Sequence, residues 1–361
     1  MELMRAARLH GSNDLRVEDV PVPDATQCKE GVLVEVEWCG ICGSDLHLYT
    51  SDAPKFQQPF MMGHEFCGVV RKAFPGSTLE EGDRVVTNPT LTCEECFCCW
   101  SGWEPQCPKL LFIGLPGGHG GGLSEFVTVQ ESKLHKIPDN IGFESAALVE
   151  PLAVGLHAVR KAEVDDKDWG RKTVLILGGG PVGYAVLANL MAAGADPGRL
   201  LVTEPTERRL KSLQSFGVRV LSPDKDDIVK ACKELSQGEG VEVAFDCAGK
   251  TESAGTAMSA MRPRGTYINV AFWGSNLIVP FYDFFKKEVT CRSSMAYSGD
   301  EFREALDLMA QGKYRSIGNM VTARYPLENA QEAFHQLLTR REDHIKILVT
   351  PKVSNTTPVA A

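Results

Sequence analysis

The sequence lacks any run close to the ~20 apolar residues that a membrane-spanning helix needs, and its start, MELMRAARLH, lacks the apolar core of a signal peptide. It also lacks an excess of positive charge, because 38 Lys and Arg stand against 47 Asp and Glu, a formal net charge of −9. Such a negative field disfavours a phosphate backbone. We therefore expect a cytoplasmic protein with no nucleic-acid and no membrane partner.

Length and composition predict a folded protein with more than one domain. With 361 residues the chain exceeds the ~100 to 200 residues of an ordinary domain, so we expect two or three domains and start from two. Apolar residues make up 43% and charged residues 24%, which is the balance of a soluble globular protein. A packed core is expected.

The apolar pattern changes twice along the chain. Apolar residues alternate with glutamates over residues 31–38, which predicts a mostly β first part. After a charged connection at residues 165–172, short apolar strands alternate with helical stretches, and this order predicts right-handed βαβ units around a parallel sheet. Near Glu288 the pattern changes again, and two amphipathic helices and a final strand predict a return to the first domain.

A cluster of cysteines predicts a closed metal site. Of twelve cysteines, four form a C-x2-C-x2-C-x7-C pattern, and they are Cys93, Cys96, Cys99 and Cys107. Cysteines of a cytoplasmic chain are expected to be reduced, so the cluster indicates a metal rather than disulfides. Four thiolates fill a tetrahedron and leave no place for substrate, so we predict a structural zinc, with Cys98 outside the ligand set.

A second, dispersed set of residues predicts an open metal site. Cys42 and His64 each lie in a glycine-flanked turn beside β segments, and either Glu65 or Glu150 can supply a third ligand. One thiolate and one carboxylate neutralise Zn²⁺, whereas two carboxylates leave the site negative and weaken its power to stabilise an alkoxide. Neighbours in an extended backbone also point to opposite faces, so His64 and Glu65 share an ion only across a turn. These arguments favour Glu150 and leave Glu65 as the alternate.

A glycine-rich turn predicts a dinucleotide site. The sequence Gly178-Gly-Gly-Pro-Val-Gly183 follows the apolar strand 173–177 and opens a helical stretch, 182–193, as a GxGxxG turn requires. The first glycine makes the tight turn, the second lets the pyrophosphate approach and the third packs helix on strand. The residues expected to contact the cofactor here are Gly178, Gly180, Pro181, Val182 and Gly183.

An acid about 20 residues further on indicates which dinucleotide is bound. Glu204 ends an apolar strand, where a carboxylate accepts bonds from the adenosine ribose hydroxyls and repels a 2′-phosphate. NAD is therefore favoured over NADP. Arg208 and Arg209 follow closely, and an inward arginine would accommodate a phosphate, so NADP stays open as an alternative.

Five motifs occur in an order that resembles the zinc-dependent medium-chain alcohol and polyol dehydrogenases. They are CGICGSDLH, GHEFCG, the four-cysteine lobe, LVEPLAV and LGGGPVG. The stretch HKIPDNIGFESAALVEPLAVGLHAVR and the late HIKILVTP look most like the 2,3-butanediol dehydrogenase branch, with sorbitol and threonine dehydrogenases next.

The resemblance implies an α/β fold in which a GroES-like, mostly β catalytic domain joins a Rossmann domain with a doubly wound parallel sheet. On this basis residues 1–155 form the catalytic domain, with the zinc lobe at about 90–110, residues 156–290 bind NAD, and residues 291–361 return to the catalytic domain. The end from about residue 353 is expected to be a frayed tail. Two zinc ions per subunit and a homodimer or homotetramer are also implied.

The resemblance also implies roles for single residues. Cys42, His64 and Glu150 correspond to the ligands of the catalytic zinc in the butanediol branch, and Glu65 matches a glutamate that other relatives use as a ligand or exchange in and out. Ser44 matches the hydroxyl beside the bound alcohol, and Asp45 matches a carboxylate that orients the zinc histidine. His47 matches the outer end of a proton relay. Arg209 is assigned to the cofactor site.

These features together predict a zinc-dependent oxidoreductase that transfers hydride between a secondary alcohol and NAD, with 2,3-butanediol and acetoin favoured. A sorbitol-type or threonine-type dehydrogenase is the alternative, and a non-catalytic dehydrogenase-like protein is a more distant one. A zinc-independent quinone reductase would not require Cys42, His64 and Glu150. A zinc-ribbon nucleic-acid binder would explain only the four-cysteine cluster and is opposed by the charge of −9.

Overall fold

The structure is a computed structural model that describes residues 2–51, 59–272, 278 and 280–352. The chain divides into two compact units. Unit 1 comprises Met1–Glu150, Ser298–Ala310 and Val321–Ala361, and unit 2 comprises Pro151–Tyr297 and Gln311–Met320. No helix within the described ranges combines the length and the apolar character that a membrane span requires.

Strands dominate the first part of the chain, and strands alternate with helices after it. The strands are β1 Leu3–Gly11, β2 Asp14–Pro21, β3 Gly31–Gly40, β4 Phe60–Met61, β5 Glu65–Lys72, β6 Arg84–Thr87, β7 Thr90–Leu91, β8 Leu111–Phe112, β9 Phe126–Gln130, β10 Leu134–Lys136, β11 Val174–Leu177, β12 Leu200–Thr203, β13 Arg219–Leu221, β14 Val241–Asp246, β15 Met261–Asn269, β16 Thr290–Ser293, β17 Val321–Pro326 and β18 Lys346–Thr350. The α-helices are α1 Gly43–Tyr49, α2 Phe97–Trp100, α3 Phe143–Ala146, α4 Val149–Arg160, α5 Pro181–Ala192, α6 Glu207–Gln214, α7 Ile228–Leu235, α8 Thr251–Ala260, α9 Phe281–Lys287, α10 Gly299–Ala310 and α11 Ala330–Thr339.

Unit 1 is built around a sheet whose strands follow the order β10-β6-β5-β3-β18-β17, with β9 also paired to β3. The predicted alternation explains the central strand, because Val32, Val34 and Val36 all face the core and are fully buried. The late strand β18 runs antiparallel to β3, with Leu348 opposite Gly40. This pairing brings β18 next to the segment that follows β3 and carries Cys42.

Unit 2 is a parallel sheet with the order β13-β12-β11-β14-β15-β16. All four residues of β11, VLIL, are buried, as expected for a parallel strand covered on both faces. The chain runs outward from β11 to β13 and then resumes at β14 on the other side of β11. The carboxyl end of β11 is therefore at a topological switch point, where ligands bind in open α/β sheets.

The structure confirms the predicted α/β fold class, with a mostly β first part, a parallel sheet and a late return to the first unit. The division between the units falls at 150/151 and 297/298, where the sequence placed boundaries after residues 155 and 290. The segment Gln311–Met320 also joins unit 2, although it follows the first helix of the returning segment. The tail predicted to fray from about residue 353 lies outside the described residues. A cytoplasmic location stays a prediction.

Candidate active site and metal centres

The four predicted lobe cysteines form one cluster. Their Sγ atoms are 3.5 Å apart for Cys96 and Cys99, 3.5 Å for Cys93 and Cys107, 3.9 Å for Cys96 and Cys107, and 4.0 Å for Cys93 and Cys99. A regular ZnS₄ tetrahedron with Zn–S bonds of about 2.3 Å requires S···S distances of about 3.8 Å. The four sulfur atoms therefore fit the four ligand positions of one zinc ion, and Cys98 is not part of the cluster.

Two backbone N–H groups in this lobe are placed to stabilise a negatively charged sulfur atom. The amides of Cys93 and Lys109 point at Cys107 Sγ at 3.5 and 3.4 Å. Such N–H donors orient a ligand and stabilise its thiolate form. Around the cluster, Phe97, Trp100 and Trp103 stay exposed, so little apolar burial is available to order the lobe without a metal.

The second predicted metal set also comes together, with one difference. Ligand atoms of Cys42, His64 and Glu65 all lie within 4.8 Å of one another, and Glu150 is not in this group. Cys42 precedes the first turn of α1, and His64 lies between Gly63 and the start of β5. Gly63, which precedes both neighbours, has φ +98°, a conformation that only glycine adopts readily. Although His64 and Glu65 are adjacent in sequence, their ligand atoms reach the same place beside Cys42.

Asp45 lies where it can orient the zinc histidine. Its Oδ1 faces His64 Nδ1 at 3.5 Å, and its Oδ2 accepts the Cys42 amide at 2.9 Å. Both facing atoms are buried, and within the described part of the chain neither has a hydrogen-bond partner. A histidine that binds zinc commonly gives its other ring N–H to such a carboxylate, so the pair fits a metal-binding histidine.

Negative charge dominates the surroundings of His64. Burial by itself would lower the pKa of this imidazole, but the charges of Asp45 and Cys42 outweigh it and raise the pKa well above its ordinary value. The same negative field attracts a divalent cation to this place.

Glu65 is held by a lysine that sequence reasoning did not assign to the site. Lys346 Nζ donates to Glu65 Oε1 and Oε2, each at 2.7 Å, and to the Ile41 carbonyl oxygen at 3.0 Å. Both side chains of this ion pair are only 1% exposed. The carboxylate lies directly over Gly40, where a Cβ atom would overlap Oε2. A charged residue inside the apolar run IKILV was the available signal for Lys346, and its partner could not be deduced.

Glu150 is close enough to influence Lys346. Glu150 is the last residue of unit 1 and 5% exposed. Burial by itself would lower the pKa of Lys346, but nearby negative charges outweigh it and raise the pKa above its ordinary value. In decreasing order of effect, these charges belong to Glu65, Cys42 and Glu150. The two competing carboxylates of the sequence thus both act on this lysine.

The two residues proposed for proton transfer lie on α1. Ser44 is half-buried in its first turn and His47 is exposed in its last turn. Residues three apart lie on the same face of a helix, so the pair runs from the Cys42 end of α1 toward solvent. Their positions support the order that the resemblance implies.

The glycine-rich turn has the geometry expected of a dinucleotide site. Gly178 has φ +93°, and Pro181 and Val182 open α5 immediately after Gly180. A Cβ at Gly183 would overlap the Gly178 carbonyl oxygen, so only glycine lets the helix pack this closely. The helix N-terminus is therefore available to phosphate groups.

Glu204 and Arg209 both face this turn and are both buried. Glu204 Oε2 accepts the Gly179 amide at 2.9 Å, and Oε1 accepts the Thr206 amide at 3.0 Å and hydroxyl at 2.9 Å. Arg209 NH1 lies 3.9 Å from Glu204 Oε2. It would also be 3.5 Å from a Cβ at Gly180. The arginine is therefore paired with the acid beside the turn rather than solvated on the face of α6.

Comparisons with known proteins agree with both units. The model of the alcohol dehydrogenase GroES-like domain matches residues 29–139, and that of the zinc-binding dehydrogenase matches residues 181–311. The chain is 33% identical to the (R,R)-butanediol dehydrogenase of Neisseria gonorrhoeae, over 97% of this chain and all of the relative. It is 30% identical to the sorbitol dehydrogenase of Bacillus subtilis, over 96% of this chain and 97% of the relative.

A solved structure supports the same assignment. The crystal structure of 2R,3R-butanediol dehydrogenase from Bacillus subtilis superposes with a TM-score of 0.85 and 32% identity, over 97% of this chain and all of that one. The predicted resemblance to the butanediol branch is confirmed. The chain therefore belongs to the zinc-dependent medium-chain alcohol and polyol dehydrogenases, and it is an alcohol-oxidising enzyme that uses zinc and a nicotinamide cofactor.

Proposed function

We propose that the protein oxidises vicinal diols and polyols with NAD, and that 2,3-butanediol and acetoin are its preferred pair. The observation that carries the proposal is the centre of Cys42, His64 and Glu65, whose ligand atoms lie within 4.8 Å of one another, in a chain that also holds a glycine-rich turn faced by an acid. Full-length similarity to butanediol dehydrogenases supports the substrate class.

The ligands proposed for the catalytic zinc are Cys42, His64 and Glu150, with Glu65 as the alternate. A zinc ion held there would act as a Lewis acid toward the substrate oxygen. Asp45 keeps His64 in the tautomer that leaves its other ring nitrogen free. The Ser44 hydroxyl accepts the proton of the substrate hydroxyl as it gives up its own, and His47 is the outer group that passes a proton to solvent.

A second zinc is proposed for the lobe of Cys93, Cys96, Cys99 and Cys107, giving two ions per subunit. Support comes from the S···S distances of 3.5 to 4.0 Å. No place for substrate remains in such a site, so its role is structural.

NAD is proposed as the cofactor in preference to NADP. The buried Glu204 carboxylate beside Gly179 would repel a 2′-phosphate and accept ribose hydroxyls. Arg209 is the residue that would favour NADP. Its NH1 lies 3.9 Å from Glu204 Oε2, so the negative carboxylate partly neutralises the positive charge that a 2′-phosphate would need. Pro181 and Val182, at the start of α5, are proposed to contact the pyrophosphate.

A homodimer or homotetramer is proposed as the assembly. In unit 2 the strand β16 is the last in its sheet, and Phe281, Tyr282 and Phe285 of α9 are exposed by 73 to 81%. Exposed apolar groups of this size, together with a sheet edge, are typical of protein interfaces. Light scattering on the purified protein measures the assembly.

An activity screen tests the substrate and the cofactor together. The purified enzyme is assayed with NAD and with NADP on separate stereoisomers of 2,3-butanediol, on sorbitol and xylitol, and on threonine. The proposal predicts the highest kcat/KM for one butanediol stereoisomer with NAD. A higher value for sorbitol would favour the sorbitol-type alternative, which the 30% identity to a sorbitol dehydrogenase supports. No turnover of any of these substrates would refute the proposed substrate class.

A further inference from the structure

We propose that Asp246 is a positioning residue of the dinucleotide site, whose buried carboxylate holds the turn 247–250 in the shape that receives the nicotinamide half of the cofactor. The inference rests on the dinucleotide site of the proposed function and extends it, because the glycine-rich turn and Glu204 account only for the pyrophosphate and the adenosine half. Asp246 takes no part in hydride transfer and acts through the backbone of the turn.

The turn 247–250 follows β14 at the carboxyl edge of the parallel sheet. Strand β14 pairs in parallel with β11, and Asp246 lies opposite Leu177, so the turn emerges beside the glycine-rich turn. The two turns flank the switch point between β11 and β14, where a dinucleotide lies across the crevice. Because Glu204 follows β12 on the adenosine side of this point, turn 247–250 belongs to the nicotinamide side.

The two turns touch each other. The Cys247 amide donates to the Leu177 carbonyl oxygen at 2.9 Å, which ties the start of the turn to the end of β11. A Cβ atom added at Gly178 would lie 3.1 Å from the Ala248 nitrogen and 3.2 Å from its Cα atom. One end of the turn is therefore fixed against the glycine-rich turn, and the shape of the rest depends on Asp246.

The carboxylate of Asp246 fixes the backbone of this turn. Its Oδ1 accepts the amides of Ala248 at 3.0 Å and of Gly249 at 3.1 Å. The Lys250 amide donates to Ser253 Oγ at 3.1 Å, and the Ser253 hydroxyl lies 2.9 Å from Asp246 Oδ2. Since the first amide binds β11, every amide of the turn has a partner, and the last three depend on Asp246 directly or through Ser253.

Asp246 also joins the turn to β15, the next strand of the sheet. The Tyr267 hydroxyl donates to Asp246 Oδ2 at 2.8 Å, and the Asp246 carbonyl oxygen accepts the amides of Val270 at 2.9 Å and Ala271 at 3.0 Å. Burial and, after it, the negative charge of Asp246 raise the pKa of Tyr267 well above its ordinary value, so the phenol keeps its proton and remains a donor.

A carboxylate is the side chain that fits this task. The side chain of Asp246 is completely buried, and the four donors that converge on it are two amides and two hydroxyls. An ionised carboxylate offers acceptors only, and hydrogen bonds to it are about twice as strong as those between neutral groups. Asparagine would present an NH₂ group to some of these donors, so part of the network would be lost.

The test compares the cofactor with a fragment that lacks the nicotinamide riboside. NADH and ADP are titrated calorimetrically into the zinc-loaded enzyme, as wild type and as Asp246→Asn. The substitution is expected to raise the Kd of NADH by about tenfold, because the turn loosens, and to change the Kd of ADP by less than about twofold. The readout is the ratio of the two Kd values, because a merely structural role would raise both equally.

Two further variants sharpen the comparison. Tyr267→Phe removes one donor and keeps the carboxylate, so it should change the ratio in the same direction by about threefold. Asp196→Asn is the matched control, because Asp196 Oδ1 accepts the Gly198 amide at 2.9 Å in the turn before β12, at the opposite edge of the sheet. It should leave the ratio unchanged.

An unchanged ratio in Asp246→Asn would overturn the inference, whether both Kd values stay constant or rise together. The second case would leave Asp246 a structural role only. If Asp246→Asn does not fold, Tyr267→Phe decides, and an unchanged ratio in that variant would overturn the inference as well.

The inference and the proposed function fail in different measurements. The titrations need no turnover, so they judge the role of Asp246 even if the enzyme oxidises no diol. A wild-type protein without measurable NADH binding would refute the dinucleotide site itself, whereas normal NADH binding with an unchanged ratio in the variants would refute only the role of Asp246.

Discussion

The two proposed metal centres of unit 1 are assembled in opposite ways. The lobe cysteines lie within residues 93–107, and all four ligands are of one kind. The centre at Cys42 combines a thiolate, an imidazole and carboxylates from separate segments, and Lys346 reaches Glu65 across 281 residues of sequence. A closed site needs only a short loop and a metal, whereas an open site needs the sheet around it to position and neutralise its groups.

Substitution of Cys42 should give the largest difference between the two centres in its effects on activity and on stability. Cys42→Ala deletes a ligand of the open centre and leaves the lobe intact, so turnover should disappear while the lobe zinc, the melting temperature and NAD binding hardly change. Zinc analysis, thermal unfolding and calorimetric NAD titration measure these quantities beside kcat/KM. Retained turnover would mean that the thiolate is not part of the catalytic centre.

Removing a lobe cysteine should give the reverse pattern. Binding of a structural zinc contributes on the order of 10 kcal/mol to ordering a small site, so Cys93→Ser should lose the lobe metal and unfold the lobe at a lower temperature. Cys98→Ser is the matched control, because Cys98 lies in the same lobe but outside the ligand cluster. Equal zinc content in the two variants would contradict the assignment.

Sequence patterns carry most information where the chemistry is local. The spacing of the four cysteines and the strand, glycine turn and helix around Gly178 are contained in short windows, and in the structure the four cysteines cluster and α5 begins directly after the turn. The Glu65–Lys346 pair depends on β18 pairing with β3, and no short window contains that information. The division between the units at 150/151 falls within a continuous helix, α4, so no break in the helical pattern marks it in the sequence.

The space at Gly40 offers a milder way to disturb the open centre. In Gly40→Ala the new methyl group would overlap Glu65 Oε2, so we expect a loss of about 1–3 kcal/mol in the free energy of unfolding and a lower kcat/KM. Gly142→Ala is the control, because no atom lies within 4 Å of its Cβ position and its φ of −75° suits alanine. Urea unfolding of both variants measures the difference, and equal stabilities would show that Glu65 moves aside without cost.

In sequence separation the nucleotide turn is intermediate between the two proposed metal centres, since Gly179 and Glu204 are 25 residues apart. Substitution of its acid should have the smallest effect. Glu204→Gln keeps the shape of the side chain and removes its charge, so the preference for NAD over NADP in kcat/KM should fall by about tenfold, the effect of ~1.4 kcal/mol. Glu207→Gln removes an exposed charge of α6 that pairs with Lys211 at 3.1 Å, and should leave the preference unchanged. Equal preferences in the two variants would mean that Glu204 supports the turn through Gly179 and Thr206 without selecting the cofactor, and discrimination would then pass to Arg209.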